Sequence, residues 1–198
     1  MRGAAFEIIV IGTSYGGLSA LQILLPGLEA DLSLPIVIVQ HRGKAEAGGL
    51  CEFLQKRSPL PLAEPDDKEE ILPGHVYLAP QDYHLLVEKG HFALSTEGPV
   101  GYARPSINVL FESAADAYRA HVVGVILTGA NTDGARGLAK IKLHGGLAIV
   151  QDPLSAESQS MPEAAIAATD VDRVLPITEI AHFLNEICHA SQGSAYVM

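Results

Sequence analysis

Four short runs of Val and Ile constrain this chain more than any other feature: Ile8–Ile11, Ile36–Val39, Val122–Leu127 and Leu147–Val150. None of them alternates with polar residues. A strand with one face in water does alternate, so runs like these describe strands covered on both faces, as in a parallel sheet sandwiched by helices. Between the runs the apolar spacing changes to that of amphipathic helices, first at Leu18, Leu21, Leu25 and Leu28, then at Ile107, Leu110, Phe111, Ala114, Ala115 and Tyr118. Ser106, after Pro105, is placed to cap the second of these, and Ile180, Phe183, Leu184 and Ile187 predict a last helix opening near Thr178. Strand, helix, strand, helix predicts an α/β fold, a doubly wound, mostly parallel sheet with helices on both faces. The middle differs, because His84–Glu88 and His91–Ser95 flank Lys89-Gly90 and predict a β-hairpin added to the sheet.

Bulk properties exclude several classes of function. With 198 residues, 48% of them hydrophobic and 18% charged, the chain can build the core of one globular domain, and no linker or repeat divides it. A formal charge of −10 and the absence of a basic stripe argue against a nucleic-acid partner, whose phosphates need clustered Lys and Arg. No apolar stretch approaches the ~20 residues of a bilayer span, and no leader pattern opens the chain, so the expectation is a cytoplasmic protein without membrane insertion. Cys51 and Cys188 fall in no CxxC pattern and read as reduced thiols, with neither a disulfide nor a metal site behind them. The charge run Asp66–Glu70 reads as a solvated loop.

In an open parallel sheet the binding crevice lies beyond the carboxyl ends of the strands, so the residues just after each strand are the candidates for chemistry. The first strand runs into Gly12-Thr13-Ser14-Tyr15-Gly16-Gly17, the second into Gln40-His41-Arg42-Gly43, and later ones into Thr128–Gly134 and Gln151-Asp152-Pro153. One serine, one histidine and two acids therefore face the same end. A serine hydroxyl becomes a competent nucleophile when a base takes its proton, and a carboxylate orients that base, roles that Ser14, His41 and either Asp133 or Asp152 can fill. Ser14 also matches Gly-x-Ser-x-Gly, a sharp strand-to-helix turn that exposes the hydroxyl, and the Tyr15 N–H beside it is a candidate oxyanion donor. Blander readings exist for each. Ser14 can be a helix cap, Asp133 the N-cap of a helix through Leu138 and Ile141, and Asp152 a turn residue before Pro153. A phosphate-binding loop fits poorly, because Gly-x-Gly-x-x-Gly needs glycine where Ser14 stands. The order serine, histidine, acid also differs from that of α/β-hydrolases, in which the acid precedes the histidine.

Taken together, Ile9–Gly17 "IVIGTSYGG", Val39-Gln40-His41, Leu72–Pro80 "LPGHVYLAP", Arg104–Phe111 "RPSINVLF" and Gly124–Gly134 "GVILTGANTDG" resemble the catalytic domain of the chemotaxis protein-glutamate methylesterases, the CheB family. The resemblance runs from about residue 6 to residue 188. It implies that the catalytic residues are Ser14, His41 and Asp133, choosing Asp133 over Asp152. It further implies hydrolysis of glutamyl γ-methyl esters on the cytoplasmic helical region of methyl-accepting chemotaxis receptors, with deamidation of receptor glutamines as a related activity, and neither metal nor organic cofactor. The chain departs from the family pattern at Gly129-Ala130-Asn131, where Gly-Met-Gly is usual, at Tyr15, where a small residue is usual, and at Arg42-Gly43, where Met-Pro is common. Members usually carry a receiver domain ahead of the esterase, whereas residues 1–198 read as a single catalytic domain without one. Two other functions share these residues, a weakly active receptor or signalling interaction module and a small-molecule esterase.

Overall fold

Strand β1 (Ile8–Thr13) is buried at every position and sits in the middle of a seven-stranded sheet. The computed structural model describes residues 6–42 and 49–193. β1 pairs in parallel with β2 (Ile36–Gln40) on one side and with β7 (Val122–Ile126) on the other. Beyond β2 lie β4 (Val76–Leu78) and β3 (Leu62–Ala63); beyond β7 lie β8 (Leu147–Gln151) and β9 (Arg173–Leu175), and every pairing is parallel. The order β3-β4-β2-β1-β7-β8-β9 means that the chain leaves β1 in one direction and later returns to its other side. The switch point therefore falls at β1, and a crevice opens beyond the carboxyl ends of β1, β2 and β7.

The pleat explains the unbroken apolar runs. Ile9 and Ile11 of β1 enter one core with Ile36, Ile38, Val123 and Val125, under α1 (Gly17–Leu24) and α6 (Ile177–Gly193). Ile8 and Val10 enter the opposite core with Val37, Val39, Val122 and Ile126, under α3 (Ile107–Tyr118), α4 (Ala135–Leu143) and α5 (Ser160–Ala168). Successive side chains feed opposite layers, so neither set can be polar. A short α2 (Leu50–Gln55) precedes β3.

The hairpin forms from β5 (His84–Glu88) and β6 (His91–Ser95), which pair antiparallel across Lys89-Gly90. It makes a separate two-stranded sheet and does not extend the large one. Its apolar face, Leu85, Val87 and Phe92, joins the core with Leu110 and Phe111 of α3, and the Val87 N–H donates to Ser113 Oγ at 3.0 Å. The first helix stops at Leu24 and passes into a 3-10 turn over Leu25–Gly27, because Pro26 cannot continue the ladder. The short strands β3, β4 and β9 and helices α2 and α5 have no sequence period long enough to predict them. Asp66, Asp67, Lys68 and Glu70 are exposed in a loop, as the charge run predicts.

Candidate active site

β1 ends at Thr13, and the backbone turns out of the sheet at Ser14, whose N–H donates to the Thr128 carbonyl at 3.0 Å. Ser14 is half-buried and Tyr15 is exposed. The turn closes through Gly16 at φ 77°, a left-handed conformation that strains any residue with a Cβ, and α1 begins one residue later. At Gly17 the limit is space: a Cβ there would lie 2.0 Å from Gln40 Oε1 and 2.4 Å from Thr13 Oγ1. Gln40 is buried at the end of β2, and its amide nitrogen donates to the carbonyls of Ser14 at 2.9 Å and of His41 at 2.8 Å, tying the two strand ends together. The Tyr15 N–H has no acceptor among the described residues, and so it is free to donate to a ligand beside Ser14.

His41 follows β2, with its N–H bonded to the Thr13 carbonyl at 3.0 Å and its Nε2 lying 2.9 Å from Asp133 Oδ2. The two side chains are 13% and 5% exposed, so the pair is shielded from solvent. Asp133 accepts four further hydrogen bonds, from the N–H groups of Ile107 (2.7 Å), Asn108 (3.0 Å) and Gly134 (3.0 Å) and from Ser106 Oγ (3.0 Å). Burial pushes the Asp133 carboxyl up, but the hydrogen bonds from His41, Asn108 and Ile107 outweigh it and hold the group below its ordinary value. An ionised carboxylate only accepts, so the proton on His41 resides on Nε2 and Nδ1 keeps its lone pair.

Nδ1 faces Asn131. The Asn131 Oδ1 accepts the Asp133 N–H at 2.9 Å, which fixes the orientation of the amide and turns its nitrogen toward the other two groups. That nitrogen lies 3.2 Å from His41 Nδ1 and 3.3 Å from Ser14 Oγ. Among the described residues no hydrogen bond joins Ser14 Oγ to His41 directly.

Two expectations change here. Ser106 occupies the N-cap position of α3, but its side chain makes no capping bond and is committed to Asp133. Asp133 does not cap α4, whose N-cap is Gly134 at φ 94°; it caps α3 from a different loop, because its carboxylate reaches the free N–H groups of that helix's first turn. Asp152 caps the 3-10 turn Pro153–Ser155 through the Leu154 N–H at 3.0 Å and makes no bond to His41. The structure thus brings Ser14, His41 and Asp133 together and leaves Asp152 apart.

Sequence reasoning missed the polar layer beneath these residues. Of the eight buried polar side chains among the described residues, seven lie in the layer around the strand ends and the first turn of α3, and only Asn185 lies elsewhere. The Thr13 hydroxyl donates to the Thr128 carbonyl, the Thr128 hydroxyl to the Tyr15 carbonyl, and the Thr128 N–H to Gln151 Oε1. The available signal was a polar residue closing each apolar strand run, at Thr13, Gln40, Thr128 and Gln151.

A cleft of about 330 Å³ opens beside His41 and Asn131, walled by Arg42, Tyr102 and Arg104. The Arg42 side chain is only 6% exposed and donates from one nitrogen to Glu64 and to the Ala79 carbonyl. Arg104 pins the cleft's outer loop by bonding Asp82 and the carbonyls of Thr96 and Glu97, leaving Tyr102 fully exposed at the mouth. Gly43 of the Arg42-Gly43 departure lies outside the described residues. Among the described residues no group of His, Cys, Asp and Glu side chains has the arrangement of a metal site, and no helix is long and apolar enough to cross a membrane.

Comparison with known proteins agrees with this geometry. The family model described as CheB methylesterase matches residues 9–184. A Leptospira interrogans protein whose name carries both protein-glutamate methylesterase and protein-glutamine glutaminase is 51% identical over 177 residues, covering 89% of this chain and 92% of the relative. An Anaeromyxobacter dehalogenans protein-glutamate methylesterase/protein-glutamine glutaminase is 40% identical over 186 residues, 94% of this chain, which spans only 54% of that longer protein. The crystal structure of the Thermotoga maritima CheB methylesterase catalytic domain superposes with a TM-score of 0.87 at 34% identity, covering 93% of this chain and 100% of that one. By sequence over nearly its whole length and by fold, the chain belongs to the CheB methylesterase family.

Proposed function

We propose that this chain is a cytoplasmic serine esterase that hydrolyses glutamyl γ-methyl esters on the helical cytoplasmic region of methyl-accepting chemotaxis receptors, releasing methanol, and that also deamidates receptor glutamines. The observation that carries this reading is the 2.9 Å hydrogen bond that His41 Nε2 donates to Asp133, which leaves the unprotonated Nδ1 facing the Asn131 amide that also reaches Ser14 Oγ. In this reading Ser14 is the nucleophile, His41 the general base and Asp133 the group that orients it. The Ser14 hydroxyl proton passes to Nδ1 as Oγ bonds to the ester carbonyl carbon, and the carbonyl oxygen takes up the negative charge beside the Tyr15 N–H. Collapse breaks the bond to the methoxy group, which leaves as methanol with the proton from Nδ1. Water then gives its proton to Nδ1, attacks the acyl carbon and releases the glutamate carboxylate, returning the proton to Ser14. No step needs a metal or an organic cofactor.

The exposed Tyr102 and the cleft beside His41 form an open entrance, which suits a side chain presented on a protein surface. The test is methanol release from methylated receptor membranes. The expected result is turnover by the wild-type chain and none by Ser14→Ala; wild-type release from small esters alone would reassign the protein as a small-molecule esterase.

A further inference from the structure

We propose that the Asn131 side-chain amide is a second oxyanion donor, held ready by the resting His41 and released to the substrate by the proton transfer itself. The proposal rests on the serine mechanism above and adds a residue to it. At rest, Asn131 Nδ2 is 3.2 Å from His41 Nδ1 and 3.3 Å from Ser14 Oγ, and its orientation is fixed because Oδ1 holds the Asp133 N–H. The amide nitrogen has two hydrogens and no lone pair to offer, so both contacts are donations. Nδ1 accepts only while it is unprotonated. Nδ1 has a single lone pair, so the Ser14 proton displaces the Asn131 hydrogen as it arrives, and the protonated Nδ1 is a donor that cannot take that hydrogen back.

At that moment the negative charge appears on the former carbonyl oxygen, which is bonded to the carbon that Ser14 Oγ has just attacked. The freed hydrogen is then within reach of an anionic acceptor, and the Tyr15 N–H supplies the other donor. The exchange favours catalysis on energetic grounds. The resting contacts lie at the long end of the hydrogen-bond range, and a bond to a charged group is roughly twice as strong as one between neutral groups. An interaction stronger in the transition state than in the ground state raises kcat. Asn131 neither gains nor loses a proton; one hydrogen bond changes acceptor.

A residue that only shapes the turn predicts something different, and Asp separates the two. Asn131→Asp keeps the oxygen that accepts the Asp133 N–H but puts a carboxylate oxygen where the donor nitrogen was; Asn131→Ala removes both. The measurement is the rate at which a fluorophosphonate labels Ser14 in the full chain, with melting temperature as the control. This reaction builds negative charge on oxygen at the same site and needs no receptor. The expected losses are about 10²–10³-fold for Asn131→Ala, the size seen when one oxyanion donor is removed, and at least as large for Asn131→Asp, which stays folded. Wild-type labelling by Asn131→Asp would reduce Asn131 to a turn residue and overturn the proposal. So would labelling by Asn131→Ala at or above the wild-type rate, which would mean that the amide merely occupies Nδ1. A wild-type chain unlabelled at Ser14 would bring down the serine mechanism and the proposal with it, an outcome distinct from normal wild-type labelling that the Asn131 variants leave unchanged.

Discussion

At the scale of single residues, Asp133 combines two tasks that sequence reasoning treats as alternatives. It holds His41 and it caps a helix, and the same two oxygens serve both. All five of its partners donate, so an amide in its place would turn hydrogens toward hydrogens. Asp133→Asn is therefore expected to cost about 10⁴ in kcat, as tautomer loss does in a well-studied triad, and also about 1–3 kcal/mol of stability from the buried donors left unmatched. Steady-state kinetics and urea denaturation of that variant measure the two effects, while Ser14→Ala, at a half-buried turn, should lose turnover without lowering the melting temperature. The depressed Asp133 carboxyl also sets an acid limit. A carboxylate held below its ordinary value contributes stability that is fully present above that value, 3.8, and is lost as pH falls through the lower folded-state value. Denaturation midpoints between pH 2 and 5 should thus fall less steeply for Asp133→Asn than for the wild type.

At the scale of elements, the site depends on strand ends that cannot move independently. Gln40 links the backbones after β1 and β2, Thr13 links β1 to the loop after β7, and Asp133 links that loop to the start of α3. The absence of a side chain at Gly17 is what lets Gln40 lie across the gap. Gly17→Ala should force Gln40 aside and separate Ser14 from His41, with kcat falling at least tenfold on the order of the loss expected from small misplacements of reacting groups, and with about 1–3 kcal/mol of overpacking. The comparison of methanol release with thermal melting separates the two, because fold loss alone would lower both in proportion. The hairpin of β5 and β6, packed on α3, braces the helix whose first turn holds the acid.

At the scale of the whole molecule, the two cores on either side of the sheet position a polar layer at one end, and the chemistry proposed here resides in that layer alone. The proposed chemistry uses neither thiol. Burial pushes Cys188 up to about 11 and also raises Cys51, which holds both in the less nucleophilic thiol form at neutral pH. Activity should accordingly survive a chelator and a thiol-alkylating reagent and be ended by a fluorophosphonate. Loss of methanol release on chelation would point to a metal that the proposed mechanism does not use.

The sequence by itself determined the fold class and the neighbourhood of the site, because both are written in local patterns. Val and Ile runs without alternation admit only strands covered on both faces, and the residues that follow such strands share one end of the sheet. The motifs also carried the family and singled out Ser14, His41 and Asp133 as candidates. Only the tertiary structure decided what those residues touch. That Asp133 caps α3 and not its own helix, that Ser106 serves the acid, that Gln40 ties two strand ends, and that Asn131 stands between serine and histidine are contacts across 25 to 117 residues of chain. Hydrogen bonds of that kind depend on where the packed layers place the loops, and no spacing in the sequence encodes it.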